Sequence, residues 1–209
     1  MPWHELGTGL PPPLNWTRVS SLVESKIRSR KTLQHNGRRP PTGISDTGRD
    51  YLGKSSLKTG YTTGTCAAAA SAAAWLRLCG YSDDMSSITV CFPDEENRGI
   101  PVAWTDMNAE KDEARAGVIK DAGDDVDVTD GARITAHMGR SHETDIRESD
   151  FVFRQEEAVL ILRGGHGVGR VTRAGLEVPA GKSAINPGPQ QMIKDTLAWH
   201  GLWREQGVW

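Results

Sequence analysis

Seven alanines in eight positions, Ala67–Ala70 and Ala72–Ala74 around Ser71, constrain this chain more than any other feature. Alanine has the highest intrinsic helix propensity, so the run predicts a helix over Cys66–Cys79. Thr63 or Thr65 can cap its start and Gly80 can close its end. A helix with so little side-chain volume buries itself only by lying very close to a neighbouring layer. The run is far short of the roughly 20 apolar residues that span a bilayer, and Trp75–Arg77 interrupts it. Packing in a core is the expectation, and a membrane is not.

Short β-rich runs follow the helix: Ile88–Phe92, Ile100–Trp104, Ala114–Ile119, Ala132–His137 and Ala158–Leu162. Turn-rich clusters separate them at Pro93–Gly99, Asp121–Gly131 and Gly164–Gly169. Pro189–Trp199 reads as a second helix. The order lacks regular β–α alternation, so the expected class is α+β, a mixed sheet with the Ala-rich helix packed on it.

Residues 1–54 have a different texture. They hold six of the eleven prolines and carry a net charge of +5, against −7 for residues 55–209. Too few apolar residues occur there to offset the entropy of ordering, so a disordered extension is expected, with one or two helical turns near Val19–Ile27. A basic arm also raises nucleic acid as a partner, but no recognition motif or aromatic–basic interleaving supports it. The three cysteines form no CxxC pair and the start shows no secretory signal, which points to a cytoplasmic setting.

Four blocks carry the candidate chemistry. In TGYTTGTC, Gly60 and Gly64 let backbone approach a ligand. The hydroxyls of Thr59, Thr62, Thr63 and Thr65 can donate to an anion, and the following helix aims free N–H groups at it. A plain capped helix behind a tight turn has the same sequence signature, so both readings stand. Cys66 lies at a helix start, where thiol pKa values fall, yet its small apolar neighbours favour a packing role. In KDAGDDVDVTDG, Asp121 and Asp124 are candidate catalytic carboxylates. An EF-hand register from Asp125 fails at Asp130 and Ala136, and no metal site is expected. In LILRGGHGVGRVT, Gly165, His166 and Gly167 form a candidate backbone nest, and Arg163, Arg170, Arg173 and Lys182 are candidate partners for carboxylates. The dinucleotide fingerprint is not met, because Arg170 stands at its sixth position. In AINPGPQQMI, a rigid turn enters a helix, and Asn186 either orients a ligand or caps that turn.

In this order, LKTGYTTGTCAAAASAAA, VIKDAGDDVDVTDGARI, GGHGVGRVTRAGLEVP and GKSAINPGPQQMI resemble the N-terminal part of the cobalt-precorrin-5B C1-methyltransferases of anaerobic cobalamin synthesis. The resemblance covers about Leu57 to Asp195. It implies methyl transfer from S-adenosylmethionine to C1 of a cobalt-containing tetrapyrrole. That substrate carries many carboxylates, which the glycine nests, helix N-terminus and basic residues suit. The resemblance also implies a catalytic or charge-stabilising role for Asp121 and Asp124. His166 stands where that family usually has an acidic residue. The family runs on beyond the INP block with a GGxSxLGTTG-like segment associated with the cofactor, which has no counterpart here. The expected architecture is therefore incomplete relative to a two-part family fold. It comprises the extension 1–54, an α+β domain 55–198 and a non-matching tail 199–209 with Trp199, Trp203 and Trp209. Two further functions remain open: a non-catalytic module that binds a tetrapyrrole or other anion, and a phosphate-binding, kinase-like domain.

Overall fold

A computed structural model describes residues 18–26, 58–82, 84–155 and 158–203. Its elements in chain order are β1 (Arg18–Lys26), α1 (Thr63–Leu78), β2 (Ser87–Cys91), β3 (Asn97–Pro101), β4 (Trp104–Asn108), β5 (Glu113–Ile119), β6 (Arg133–Arg140), β7 (Phe151–Gln155), β8 (Ala158–Gly164) and α2 (Pro187–Trp199). The class is α+β, as the sequence indicates. Among the described residues, one mixed sheet has the order β4-β5-β6-β1-β8-β7, and β2 and β3 form a separate hairpin. Only the β1–β8 pairing is parallel.

The alanine run explains how the layers meet. Cys66 to Trp75 are all buried, with at most 4% exposure, so α1 has no polar face along this stretch. A helix apolar all round must be covered all round. One side lies on β5 and β6, where Ala114, Ala116 and Ala136 oppose it with equally small side chains. The other side meets α2, through Ile193 and Leu197, and the β2–β3 hairpin, through Ile88, Val90 and Ile100. Small residues on both faces let helix and sheet approach closely, and the larger aliphatics fill the outer layer.

Several local expectations change. The helix starts at Thr63, and its N-cap is Thr62, whose Oγ1 accepts the Thr65 N–H at 3.1 Å. Gly80 closes it as expected, at φ +90° with its N–H donating to the Arg77 carbonyl. The expected strand Ile100–Trp104 divides in two, because Pro101 has no N–H for a ladder. Beyond it, Val102 donates to the Ser86 carbonyl and Ala103 to that of Gly117, which hands the chain from the hairpin to the main sheet. β7 was not anticipated.

The largest correction concerns the extension. The sequence predicts one or two helical turns near Val19–Ile27, yet Arg18–Lys26 is a strand inside the sheet. It pairs with β6 from Val19↔Arg140 to Lys26↔Arg133, and with β8 from Arg18↔Val159 to Val23↔Gly164. Two flanking ladders decide its conformation, and such tertiary pairing overrides local propensity. The remainder of 1–54 lies outside the described residues. The tail boundary also moves, since Trp199 ends α2 and Leu202 is buried in the core, with Trp203 packed against it. Residues 204–209 lie outside the described residues.

Candidate functional site

Strand directions set where the motif blocks fall. β5 and β1 are both antiparallel to β6, and β8 is parallel to β1, so β5 and β8 point the same way. Their C-terminal ends therefore open on one edge of the sheet. β5 leads there into the acidic loop that begins at Asp121. β8 leads there into the glycine loop that begins at Gly164.

The first block is laced onto the acidic loop. Thr59 and Gly123 form a bridge, Tyr61 donates to the Asp121 carbonyl at 2.7 Å and Asp124 donates to the Lys58 carbonyl at 3.0 Å. The two chains approach so closely that a Cβ on Gly60 would lie 2.0 Å from the Ala122 carbonyl carbon. The carboxylates continue the lacing. Asp121 pairs with Lys58 Nζ at 2.5 Å and accepts the Gly123 N–H, and Asp124 Oδ2 accepts the Lys58 N–H at 2.6 Å. The hydrogen bond from Lys58 holds the Asp121 carboxyl below the usual aspartate range, with help from the Gly123 N–H.

Beneath this loop lies Lys120, whose side chain is only 1% exposed. Its ammonium pairs with Asp127, whose side chain is 37% exposed. Asp127 also accepts the N–H and hydroxyl of Thr129. The Lys120 hydrogen bond, followed by those from Thr129, pushes the Asp127 carboxyl far below its ordinary value. Cys66 departs from the depressed thiol that its helix position suggested. Burial pushes it up to about 11 and outweighs the opposing charge of Lys120.

The third and fourth blocks form a second laced unit. Gly164 donates to Ser183 Oγ at 3.1 Å, Ala184 to the Gly169 carbonyl at 2.8 Å and Val171 to the Lys182 carbonyl at 2.9 Å. Arg170 and Ser183 form a bridge. Asp150, with a fully buried side chain, anchors this unit. It takes Arg163 Nε at 2.9 Å and Arg163 Nη2 at 2.7 Å, and it also accepts the Arg147 N–H. Burial alone would raise the Asp150 carboxyl, but Arg163 and the Arg147 N–H outweigh it and hold it low.

The two units meet through the helices. A Cβ on Gly64, in the first turn of α1, would lie 2.9 Å from Pro189 in the first turn of α2. At the far ends, Trp75 Nε1 donates to the His200 carbonyl at 3.1 Å. The helices are therefore parallel, with both N-termini together. Neither first turn contains an acidic residue, so two partial positive charges gather at one place with no carboxylate in either first turn. Asn186, the N-cap of α2, makes no side-chain capping bond.

The expected site residues thus assemble on one edge, with differing availability. Thr59, Thr62 and Thr63 are exposed, as are His166, Gly167, Arg170 and Asn186. Gly60 and Gly165 are half-buried. Gly64 is buried as a packing contact, and the Thr65 hydroxyl is buried against Thr62 at 2.9 Å. Arg163 is turned to Asp150. Sequence reasoning passed over Lys58, Lys120 and Asp150. Nothing local marks Asp150, which lies 13 residues before its partner. Among the described residues, no group of three or more His, Cys, Asp or Glu could hold a metal ion, and no helix is long and apolar enough to cross a membrane.

Fold and site together define an α+β domain whose motif blocks converge on one sheet edge beside two helix N-termini. The chain is similar to three relatives, each named cobalt-precorrin-5B C(1)-methyltransferase. The Moorella thermoacetica protein is 42% identical over 142 residues, 68% of this chain and 34% of the relative. The Burkholderia thailandensis protein is 42% identical over 143 residues, again 68% and 34%. The Desulfitobacterium hafniense protein is 36% identical over 152 residues, 73% and 35%. The family model described as CbiD matches residues 50–203, and the chain belongs to that family. It spans about a third of the length of the curated relatives it matches. No solved structure matches. β1 lies outside the residues that the family model matches.

Proposed function

We propose that this chain takes part in the methylation of cobalt-precorrin-5B at C1, with its sheet edge as the face that receives the tetrapyrrole. The observation that carries this reading is the parallel helix pair. Two helix N-termini without acidic residues, beside a glycine loop rich in main-chain N–H groups, suit the side-chain carboxylates of such a ring. Thr59, Thr62, Thr63, Gly165, His166, Gly167, Arg170 and Asn186 form the substrate face. Gly60, Gly64, Thr65 and Arg163 hold that face in shape.

S-adenosylmethionine, when bound, supplies an electrophilic methyl group on a sulfonium. The acidic loop is the part of this chain whose charge suits that cation, and Asp121 and Asp124 are the carboxylates placed there. Their structural duty is already visible, since both hold Lys58. Their chemical duty is to stabilise positive charge or to take up a proton from the ring. In-line methyl transfer needs alignment and exclusion of water more than a protein nucleophile. Burial of Cys66, which pushes its thiol up to about 11, is consistent with that. Three free cysteines fit a cytoplasmic setting.

Calorimetry tests this reading. The 209-residue chain is titrated with S-adenosylhomocysteine and, separately, with a cobalt corrinoid bearing free side-chain carboxylates. Binding of both supports the methyltransferase reading. Corrinoid binding alone supports the second reading, a non-catalytic module. Absence of corrinoid binding contradicts both. In a catalytically active chain, Asp121→Asn or Asp124→Asn with full turnover removes the chemical role of those carboxylates.

A further inference from the structure

Five basic residues belong to or border the glycine-loop unit: Arg147, Arg163, Arg170, Arg173 and Lys182. They are not equivalent. Arg163 is neutralised, because its Nε and Nη2 both reach Asp150 and its Nη2 also donates to the Asp145 carbonyl at 2.7 Å. Asp150 is saturated in turn, since Oδ1 takes Arg163 Nε while Oδ2 takes Arg163 Nη2 and the Arg147 N–H. Lys182 therefore gains no share of that carboxylate. Its Nζ donates to the Asp150 main-chain carbonyl at 2.8 Å and lies 5.8 Å from the centroid of the Phe151 ring. Among the described residues it forms no ion pair.

An ammonium has three donors, and here one is used. Lys182 is also half-buried, so part of its hydration is already lost. A partly desolvated cation without a counter-ion is where an incoming carboxylate gains most. The placement agrees. The Lys182 carbonyl accepts the Val171 N–H, and the next residue, Ser183, bridges Arg170 and holds the Gly164 N–H. The lysine thus sits at the closure of the glycine loop. The carbonyl of Asp150 and the Phe151 ring fix it there.

We infer that Lys182 is the docking cation for a ligand carboxylate at the glycine loop, with Asp150 holding it in position. The inference rests on the polycarboxylate reading above and names the residue that confers preference for the acid form of the ligand.

The test compares two probes on the full chain: a cobalt corrinoid with free side-chain carboxylates, and the methyl ester of the same corrinoid. Wild type binds the acid more tightly than the ester. Lys182→Met loses about tenfold or more for the acid, the range of a charge-assisted hydrogen bond, with ester affinity unchanged. Lys182→Arg recovers most of the loss. Lys182→Met that binds the acid as tightly as wild type overturns the inference and leaves the substrate reading standing. Wild type that shows no preference for the acid overturns both. Acetylation of Lys182 in the wild-type chain, followed by mass spectrometry, gives a second readout independent of any variant's folding. Saturating acid, but not ester, protects Lys182. Equal labelling in both contradicts the inference.

Discussion

The acidic loop and the glycine loop leave the same edge of the sheet, each after a strand running in the same direction, and each is held by a buried ion pair. The pairs are inverted. Under the acidic loop the cation is the hidden partner, with Lys120 at 1% exposure and Asp127 at 37%. Under the glycine loop the acid is hidden, with Asp150 at 0% and Arg163 at 18%. The first loop has exposed carboxylates, Asp124 and Asp125 among them, and the second has exposed cations, Arg170 and Arg173. One edge acquires two walls of opposite sign without burying an unpaired charge. Such an edge suits a reaction that joins a cationic donor to a polyanionic acceptor.

Breaking each anchor is the strongest way to test the inversion. Asp150→Ala leaves Arg163 without its paired carboxylate, with only Asp145 as a weaker counter-charge, and we expect a loss of about 3 kcal/mol in urea unfolding. Asp127→Ala strands Lys120, the more deeply buried of the two cations, so its loss is at least as large as that of Asp150→Ala. The reverse order would contradict the inverted geometry. Gly60→Ala comes next. Its Cβ would overlap the Ala122 backbone, which cannot yield as a side chain can, so the first block separates from the acidic loop at a cost of about 2 kcal/mol. Gly64→Ala meets only the ring of Pro189 and costs less, by thermal unfolding of the two variants.

A milder perturbation is pH. Asp121, Asp127 and Asp150 all titrate below the ordinary aspartate value in the folded chain. Their contribution is fully present above the unfolded value of about 3.9 and is lost as pH falls through the lower folded values. Because of these groups, the urea midpoint changes little from about pH 7 to 5 and falls below about pH 4. Asp150→Asn makes that fall shallower. The smallest effect concerns thiols. With Cys66 pushed up to about 11 and Cys79 to about 12, both mainly by burial, neither reacts with a disulfide reagent near neutral pH in the native chain. The less enclosed Cys91 reacts first.

Much of this was legible in the sequence because it is local. The alanine run marked α1, turn residues marked the loops, and the four blocks proved to be neighbours in space. Less legible was what depends on pairing across distance. No window around Val19–Ile27 contains β6 or β8, whose ladders make it a strand. The anchors were hidden for the same reason. Asp150 sits in an unremarkable stretch, and only the fold reveals that it occupies Arg163 and leaves Lys182 with an uncommitted charge. The parallel course of α1 and α2 was likewise invisible, since Gly64 and Pro189 are far apart in sequence.

The central claim is that the edge bearing both helix N-termini and the glycine loop receives the tetrapyrrole. Amide hydrogen exchange of the full chain, with and without a saturating cobalt corrinoid bearing free carboxylates, tests it most directly. Slowed exchange confined to residues 59–65, 164–170 and 186–190 is the predicted result. Protection at the β2–β3 hairpin instead, or none anywhere under saturating ligand, would contradict it.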